Sequence, residues 1–225
     1  FVMGGHDGYA PLSSVECLDL ETGQRSAVAP MRRIHLVFAA AALGGKIFVT
    51  GCGETECFDP VTGAWTALAP MNTPRSHHAM VSANGKLYVA GGSSTGGFLK
   101  SVECFDPTTR VWTTIAPMNE GRDHLGLAVL GDKLYAIGGY RLSSMECLDL
   151  SIPNGQWTPV ASMTMPRQGF GAVAAGGKIY AIGGESTAAS TSMECFDPNE
   201  GPQGQWTLTN ESLGFMTREA KFVAF

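Results

Sequence analysis

A six-residue motif that recurs five times constrains this chain more than any other feature. It reads VECLDL at 15–20, TECFDP at 55–60, VECFDP at 102–107, MECLDL at 145–150 and MECFDP at 193–198. Successive motif cysteines are 40, 47, 43 and 48 residues apart. A period in the forties is typical of an array of small supersecondary units, each of which buries its apolar face only against its neighbours.

The third unit illustrates how one repeat is expected to fold. Residues 75–81 predict a first strand, Asn84-Gly85 a tight hairpin turn, and residues 87–90 a second strand that ends at Gly91-Gly92. After a variable loop, residues 102–106 and 111–115 predict a third and a fourth strand. Helical periodicity is absent from the pattern. Each unit is therefore predicted to be a four-stranded antiparallel sheet.

These units resemble the kelch repeat, in which a double glycine is followed by an acidic-aromatic strand, a tryptophan, a proline-methionine pair and then an arginine. The resemblance covers essentially the whole chain. It implies an all-β fold, a kelch-type β-propeller that forms a single domain over residues 1–225, with each repeat a four-stranded blade around a central channel. The repeated tryptophans give each blade a large apolar face, so we expect them to be structural. They are Trp65, Trp112, Trp157 and Trp206.

The two ends of the chain match neighbouring strands of the same repeat unit. Residues 218–225 align with the first strand of a unit, and residues 1–5 align with the second. We therefore predict five blades, with the N- and C-terminal strands sharing one of them, which removes both exposed edges. The alternative is a six-bladed ring, which is commoner among kelch propellers, with one blade outside the chain. The predicted blades are 217–225 plus 1–31, 32–71, 72–118, 119–163 and 164–216.

Composition argues against two classes of partner. The net charge is −5 and no run of lysine or arginine occurs, so we expect no nucleic-acid partner. No segment approaches the roughly 18 apolar residues that span a bilayer, so we expect no membrane partner. The chain opens at Phe1 in repeat sequence without an initiator methionine or a signal peptide, and it is expected to be a piece of a longer protein.

Five of the six cysteines occupy one equivalent position in each repeat, and equivalent positions in neighbouring units rarely approach within disulfide distance. We predict reduced, packed thiols and, from them, a reducing compartment and a cytoplasmic location. Cys52 and Cys57 are close in sequence, which leaves a pairing between those two open.

The sequence contains no nucleophile, phosphate-binding or metalloprotease motif, so we predict a protein that is not an enzyme and binds no cofactor. One alternative is the activity of kelch-fold sugar mutarotases or isomerases, with Asp123, His124, Glu185 and Glu219 as acid and base groups. His77 and His124 occupy the same position in neighbouring units, beside Asp123. A metal site there is one interpretation, but we predict ordinary hydrogen-bonding histidines instead.

Binding is the favoured function. The kelch resemblance implies that partner contacts follow the double glycine and the repeat arginine of each blade. Because the candidate residues include three carboxylates and no lysine or arginine, we predict a neutral or basic peptide partner. The resemblance also implies a role in a larger protein, as a ubiquitin-ligase adaptor or cytoskeletal scaffold that reaches a cullin ligase or actin through other domains. The candidate residues are His6, Ser93, Tyr140 and Glu185 in the first set, and Ser76, His77, Asp123, His124, Gln168 and Glu219 in the second.

Overall fold

Each sequence repeat folds into one antiparallel sheet, and the five sheets are arranged as the blades of a β-propeller. The structure, a computed structural model, describes residues 1–35, 37–51, 53–185 and 191–209. Among these residues all regular elements are strands, and none is a helix that could cross a bilayer. The prediction of a five-bladed all-β propeller is confirmed.

The blades are numbered I to V in chain order, and strands from neighbouring positions in the chain pair within each blade. Blade I contains β1 (Val2–Met3), β2 (Val15–Leu18) and β3 (Arg25–Val28). Blade II contains β4 (Phe38–Leu43), β5 (Lys46–Gly51), β6 (Glu54–Asp59) and β7 (Ala64–Leu68). Blade III contains β8 (Ala79–Ala83), β9 (Lys86–Ala90), β12 (Val102–Asp106) and β13 (Val111–Ile115).

Blade III also carries a small hairpin between its second and third strands, formed by β10 (Ser93–Ser94) and β11 (Gly97–Phe98). Blade IV contains β14 (Gly126–Leu130), β15 (Lys133–Gly139), β16 (Leu142–Asp149) and β17 (Thr158–Val160). Blade V contains β18 (Gly171–Ala175), β19 (Lys178–Ile182), β20 (Met193–Asp197) and β21 (Gln205–Leu208).

The first strands of the blades line the central channel, where β4 contacts β8, β8 contacts β14, and β14 contacts β18. In blade I the described strands are three. The strand that we predicted from residues 218–225, which would complete this blade from the C-terminal end, lies outside the described residues.

The first strand of blade III begins later than the sequence predicts, at Ala79 rather than at residue 75. Two features displace the strand start. The side chain of Arg75 is buried and hydrogen-bonded to Glu103, and His77 has a left-handed backbone with a φ of 54°, which lies outside the β region that strands of non-glycine residues adopt. Residues 75–78 therefore form an irregular segment at the end of the blade.

The hydrophobic core lies in the seams between consecutive blades. Strand β9 shows how one strand serves two seams: Leu87 and Val89 pack with residues of blade II, while Tyr88 and Ala90 pack with residues of blade IV. This follows from the two-residue period of a strand, which sends alternate side chains to opposite faces of the sheet. Equivalent clusters fill the seams between blades I and II and between blades IV and V.

Each tryptophan also joins its blade to the preceding one. The indole nitrogen of Trp112 donates a hydrogen bond of 3.0 Å to the carbonyl of Ala69, which precedes the proline-methionine pair that ends blade II. A buried indole N–H needs such an acceptor, since leaving it unpaired is costly. Each of the four tryptophans therefore has a structural role, because its indole makes a specific hydrogen bond across the seam to the preceding blade. The equivalent bonds are Trp65 to Ala29 (2.8 Å), Trp157 to Ala116 (2.9 Å) and Trp206 to Ala161 (3.0 Å).

The double glycines bring neighbouring blades together at one end of the propeller. Gly91 and Gly92 have φ values of 63° and 86°, and the amide of Gly92 donates a 2.7 Å hydrogen bond to the carbonyl of Arg122 in blade IV. A β-carbon on Gly91 would lie 2.4 Å from that same carbonyl oxygen. Only glycine therefore fits at this blade junction.

The cysteine of each motif lies on the strand that carries the motif, one to a blade, and all five are free thiols. Burial raises the pKa of the Cys57 and Cys104 thiols, so both remain protonated and pack as small hydrophobes. The pairing of Cys52 with Cys57 concerns a residue outside the described part of the chain.

Candidate partner-binding rim

The two ends of the propeller differ in construction. At the first, here called the turn end, short turns join β4 to β5 and β6 to β7, and Lys46 Nζ lies 2.8 Å from Asp59 Oδ2 across them. Blades III and V repeat this pair with Lys86–Asp106 (3.3 Å) and Lys178–Asp197 (3.0 Å). The other end, here called the rim end, carries the double-glycine loops and the segments that follow the repeat arginine. The predicted binding residues belong to the rim end.

Buried ion pairs fix the backbone at the rim end. Arg75 Nη2 donates to Glu103 Oε1 at 2.7 Å, with both side chains fully buried, and Arg75 Nη1 donates to the carbonyls of Gly91 and Ser101. Burial lowers the pKa of the Arg75 guanidinium and Glu103 opposes that shift, so the group stays charged. The equivalent pairs are Arg122–Glu146 (3.1 Å) and Arg167–Glu194 (3.0 Å), and in blade II His35–Glu56 (2.7 Å).

Sequence reasoning missed these ion pairs, which hold the backbone of the rim end in place. The arginine and the glutamate recur in register in the same repeats, and this recurrence was the available signal. The histidine of blade II keeps the arrangement, because its Nε2 reaches Glu56 in the place of the guanidinium.

The two predicted sets of binding residues lie side by side in blades III, IV and V. In blade III, Ser76 and Ser93 exchange two backbone hydrogen bonds, of 3.0 and 2.8 Å, and their hydroxyls are 3.2 Å apart. In blade IV the amide of Tyr140 donates to the carbonyl of Asp123 at 2.8 Å. In blade V the amide of Glu185 donates to the carbonyl of Gln168 at 3.0 Å, and the Gln168 side chain donates to the Glu185 carboxylate at 2.7 Å.

The remaining predicted residues are placed differently. His6 lies exposed in the loop between β1 and β2, where it pairs with Pro11 and its Nδ1 accepts the Gly8 amide. Glu219 lies outside the described residues. Of the predicted acidic residues, those in the described part of the chain are therefore Asp123 and Glu185.

Three of the predicted residues meet across the seam between blades III and IV. The rings of His77 and His124 stack, with centroids 3.8 Å apart and planes 22° apart. His124 Nδ1 lies 2.9 Å from Asp123 Oδ2, and His77 Nδ1 lies 3.8 Å from Asp123 Oδ1. The Asp123 side chain is 9% exposed, while both imidazoles are partly open to solvent. The sequence placed the two histidines at equivalent positions, but their contact depends on the small gap between these two blades.

Both histidines have a left-handed backbone, with φ values of 54° for His77 and 56° for His124. A side chain in that conformation costs about 1–2 kcal/mol. In blade V the same place is held by Gly169, with a φ of 57°. The conformation is stabilised by hydrogen bonds from blade to blade, since the His124 amide donates to the His77 carbonyl at 3.1 Å and the Gly169 amide donates to the His124 carbonyl at 3.0 Å.

The Asp123 carboxyl has a lowered pKa. Burial alone would raise it, but the hydrogen bond with His124 and the charges of His124 and His77 outweigh burial. The ionised carboxylate therefore contributes stability in full above the unfolded pKa of about 3.9, and the contribution is lost as the pH falls through the lower folded pKa.

We expect Asp123→Asn to be less stable than the wild type at about pH 5, and we expect this difference to disappear as the pH is lowered toward about 2. Thermal unfolding midpoints of both proteins across this range provide the measurement. A stability difference that does not change with pH would contradict the lowered pKa.

An exposed aromatic pair, of which the sequence analysis had identified only Tyr140, lies beside these residues. Phe98 from β11 and Tyr140 from the loop between β15 and β16 meet edge to face with centroids 5.7 Å apart, and they are 51% and 40% exposed. The Arg141 guanidinium lies over the Tyr140 ring at 5.2 Å. The predicted set of binding residues included no lysine or arginine, and it omitted Arg141, which directly follows Tyr140.

The central channel contains a cavity of about 140 Å³. Its lining comes from the middle of β4, β8, β14 and β18 and consists of alanine, valine, methionine, leucine and serine residues. None of these lining residues has an ionisable side chain. The channel cavity itself therefore offers no acid or base from its lining residues.

Comparisons with known proteins agree with this architecture. The profile of the KLHDC2/KLHL20/DRC7 Kelch-repeats domain matches residues 52–184, and the Kelch motif matches residues 1–32 and 166–210. No curated protein sequence gives a significant match. Among solved structures, YjhT aligns with a TM-score of 0.80 over 99% of this chain and 86% of its own, at 17% sequence identity. That likeness concerns the fold alone.

Proposed function

The chain belongs to the kelch-repeat family, and from that premise we propose that it is the interaction module of a larger protein and takes a neutral or basic peptide at its rim end. Kelch propellers are commonly modules of protein interaction. The proposed surface, here called the partner surface, is formed by blades III to V. Its members are Ser76, His77, Ser93, Phe98, Asp123, His124, Tyr140, Gln168 and Glu185.

The observation that carries the proposal is an exposed aromatic pair beside a buried carboxylate. Aromatic side chains with partial exposure are the residues that most often dominate binding energy, because they bury a large area at a low entropy cost. Phe98 and Tyr140 present such an area on a backbone that the buried ion pairs hold rigid. A preformed surface of this kind loses little entropy when a peptide docks.

The charge of the partner follows from the carboxylates. Asp123 and Glu185 lie on neighbouring blades of the partner surface, and an incoming lysine or arginine would be attracted to them. Arg141 already covers one face of Tyr140, so we place the basic side chain of the partner toward the carboxylates and its apolar side chain against Phe98 and Tyr140.

The larger setting is part of the proposal. We infer that the module recognises substrates for a ubiquitin ligase or attaches to a cytoskeletal scaffold, with contacts to a cullin ligase or actin made by other domains. The free thiols, one in each blade, support a reducing, cytoplasmic location. The rival function, a sugar mutarotase or isomerase, needs an acid and a base that converge on a pocket. The channel cavity does not favour this function, because none of its lining residues has an ionisable side chain.

The proposal is tested with three fluorescent peptides of equal length, one rich in arginine, one neutral and one rich in glutamate. We expect the arginine-rich peptide to bind several-fold more tightly than the glutamate-rich one at about 0.01 M salt, where charges act over about 30 Å, and this preference to shrink near 1 M salt. Fluorescence anisotropy measures the affinities. Equal affinity for the two charged peptides at low salt would contradict the charge argument.

We expect Tyr140→Ala to weaken binding of the arginine-rich peptide by about tenfold or more, because it removes half of the exposed aromatic pair. The matched control is Val61→Ala, which changes an exposed apolar residue at the turn end. If both variants bind as the wild type does, the partner surface lies elsewhere on the propeller.

A further inference from the structure

The geometry points to a binding site for a divalent transition-metal ion, with zinc as the best match, formed by His77, Asp123 and His124 in the seam between blades III and IV. One nitrogen from each histidine and one oxygen of the carboxylate already lie within 4.8 Å of one another. The site does not depend on the proposed peptide partner, since its ligands meet within one seam whatever the rim binds.

The distances are close to those that a metal ion requires. Zinc binds histidine nitrogen and carboxylate oxygen at about 2.0–2.2 Å, so two ligand atoms in tetrahedral arrangement are separated by about 3.3–3.5 Å. The observed separations from Asp123 are 2.9 Å for His124 Nδ1 and 3.8 Å for His77 Nδ1, one on each side of that range. Binding of the ion would bring both separations into that range.

The residue types suit a borderline metal ion. Two imidazoles and one carboxylate form a nitrogen-rich set that zinc and its neighbours prefer to calcium or magnesium, which favour oxygen. The Asp123 side chain is 9% exposed, whereas His77 and His124 are 31% and 20% exposed. The carboxylate thus closes the inner side of the site, and the outer side is open for water as a fourth ligand.

The backbone gives an independent reason to assign a role to these histidines. The fold requires a left-handed residue at this place in blades III, IV and V, and Gly169 meets the requirement in blade V. Glycine adopts this conformation at no steric cost, while histidine does so at a cost in stability. Strained residues concentrate at functional sites, and here two of them face the same carboxylate.

Metal binding would replace the present contact between His124 and Asp123. Each coordinating nitrogen must lack a proton, so any proton that it carries passes to solvent when the ion binds.

The test is titration of the full, metal-free chain with Zn²⁺ by calorimetry, and with Co²⁺ by visible absorption. We expect one ion per chain. Replacing either histidine should weaken binding by about 100-fold or more, since even the loss of a supporting residue costs 10- to 100-fold. The variants are His77→Gly and His124→Gly, which we expect to fold at least as well as the wild type, because glycine already occupies this place at Gly169. His6→Asn, which changes an exposed histidine in blade I, is the matched control and should bind as the wild type does.

The Co²⁺ spectrum distinguishes this site from the cysteines. Nitrogen and oxygen ligands give ligand-field bands alone, while a thiolate ligand adds an intense charge-transfer band at shorter wavelength. The proposal is overturned by a thiolate band, by equal affinity in the wild type and both glycine variants, or by no binding at about 1 mM metal. Tyr140→Ala should bind the ion normally, so failure of the peptide proposal and failure of the metal proposal are separate results.

Discussion

Replacing Glu103 with glutamine should lower the free energy of unfolding by about 3–5 kcal/mol. The substitution removes the charge that neutralises Arg75, whose guanidinium is fully buried at 2.7 Å from the carboxylate. It also disturbs the hydrogen bonds that Glu103 accepts from the backbone amides of Asn72 and Thr73. For a chain of 225 residues, this loss corresponds to a fall in the unfolding midpoint of about 6–20 °C.

The measurement is thermal or urea unfolding of Glu103→Gln beside a matched control. Glu21→Gln changes a glutamate that lies exposed in the turn between β2 and β3. Substitutions at such exposed positions have small effects, so the control should lie within about 0.5 kcal/mol of the wild type. If the two variants lose equal stability, the buried Arg75–Glu103 ion pair does not stabilise the propeller as proposed.

Truncating Trp112 to alanine should cost about 3–5 kcal/mol. The indole is 5% exposed, packs with Phe105 at a centroid distance of 5.0 Å, and bonds to Ala69 across the seam between blades II and III. The truncation leaves a cavity between two blades, and it leaves the Ala69 carbonyl without the indole donor. Both effects weaken the same seam.

Two further variants separate these effects. Trp112→Phe keeps an aromatic ring and loses the indole N–H, so it should cost about 1–3 kcal/mol. Val111→Ala changes the adjacent residue, which is 53% exposed, and should stay within about 0.5 kcal/mol of the wild type. Urea unfolding ranks the three variants. A loss for Trp112→Ala no larger than that for Val111→Ala would show that the seam does not depend on this ring.

The repeat was sufficient to predict the architecture of the propeller. The five copies of the motif predict five four-stranded units, and the conserved spacing of Asn84-Gly85 and Gly91-Gly92 predicts where the second strand of blade III begins and ends. These features are local, since turn chemistry and a two-residue period act within one unit. The start of β8 was the exception, because the buried contact from Arg75 to Glu103 and the left-handed backbone of His77 come before it.

The contacts between blades could not be read from the sequence. The alignment shows that Trp112 recurs, but its bond to Ala69 requires knowledge of how far blade III is rotated from blade II. The same holds for the stacked rings of His77 and His124. Phe98 and Arg141 were missed because they belong to variable loops, in which no repeat marks a residue as important.

Amide hydrogen exchange across the whole chain, with and without the arginine-rich peptide, tests the central claim most directly. The claim is that partners dock on the rim end of blades III to V. We predict slower exchange in the presence of peptide for residues 93–98, 123–124, 140–141 and 168–169, and unchanged exchange for the hairpin turns at 44–45, 84–85, 131–132 and 176–177. Protection confined to those turns, or to the outer strands β7, β13, β17 and β21, would contradict it.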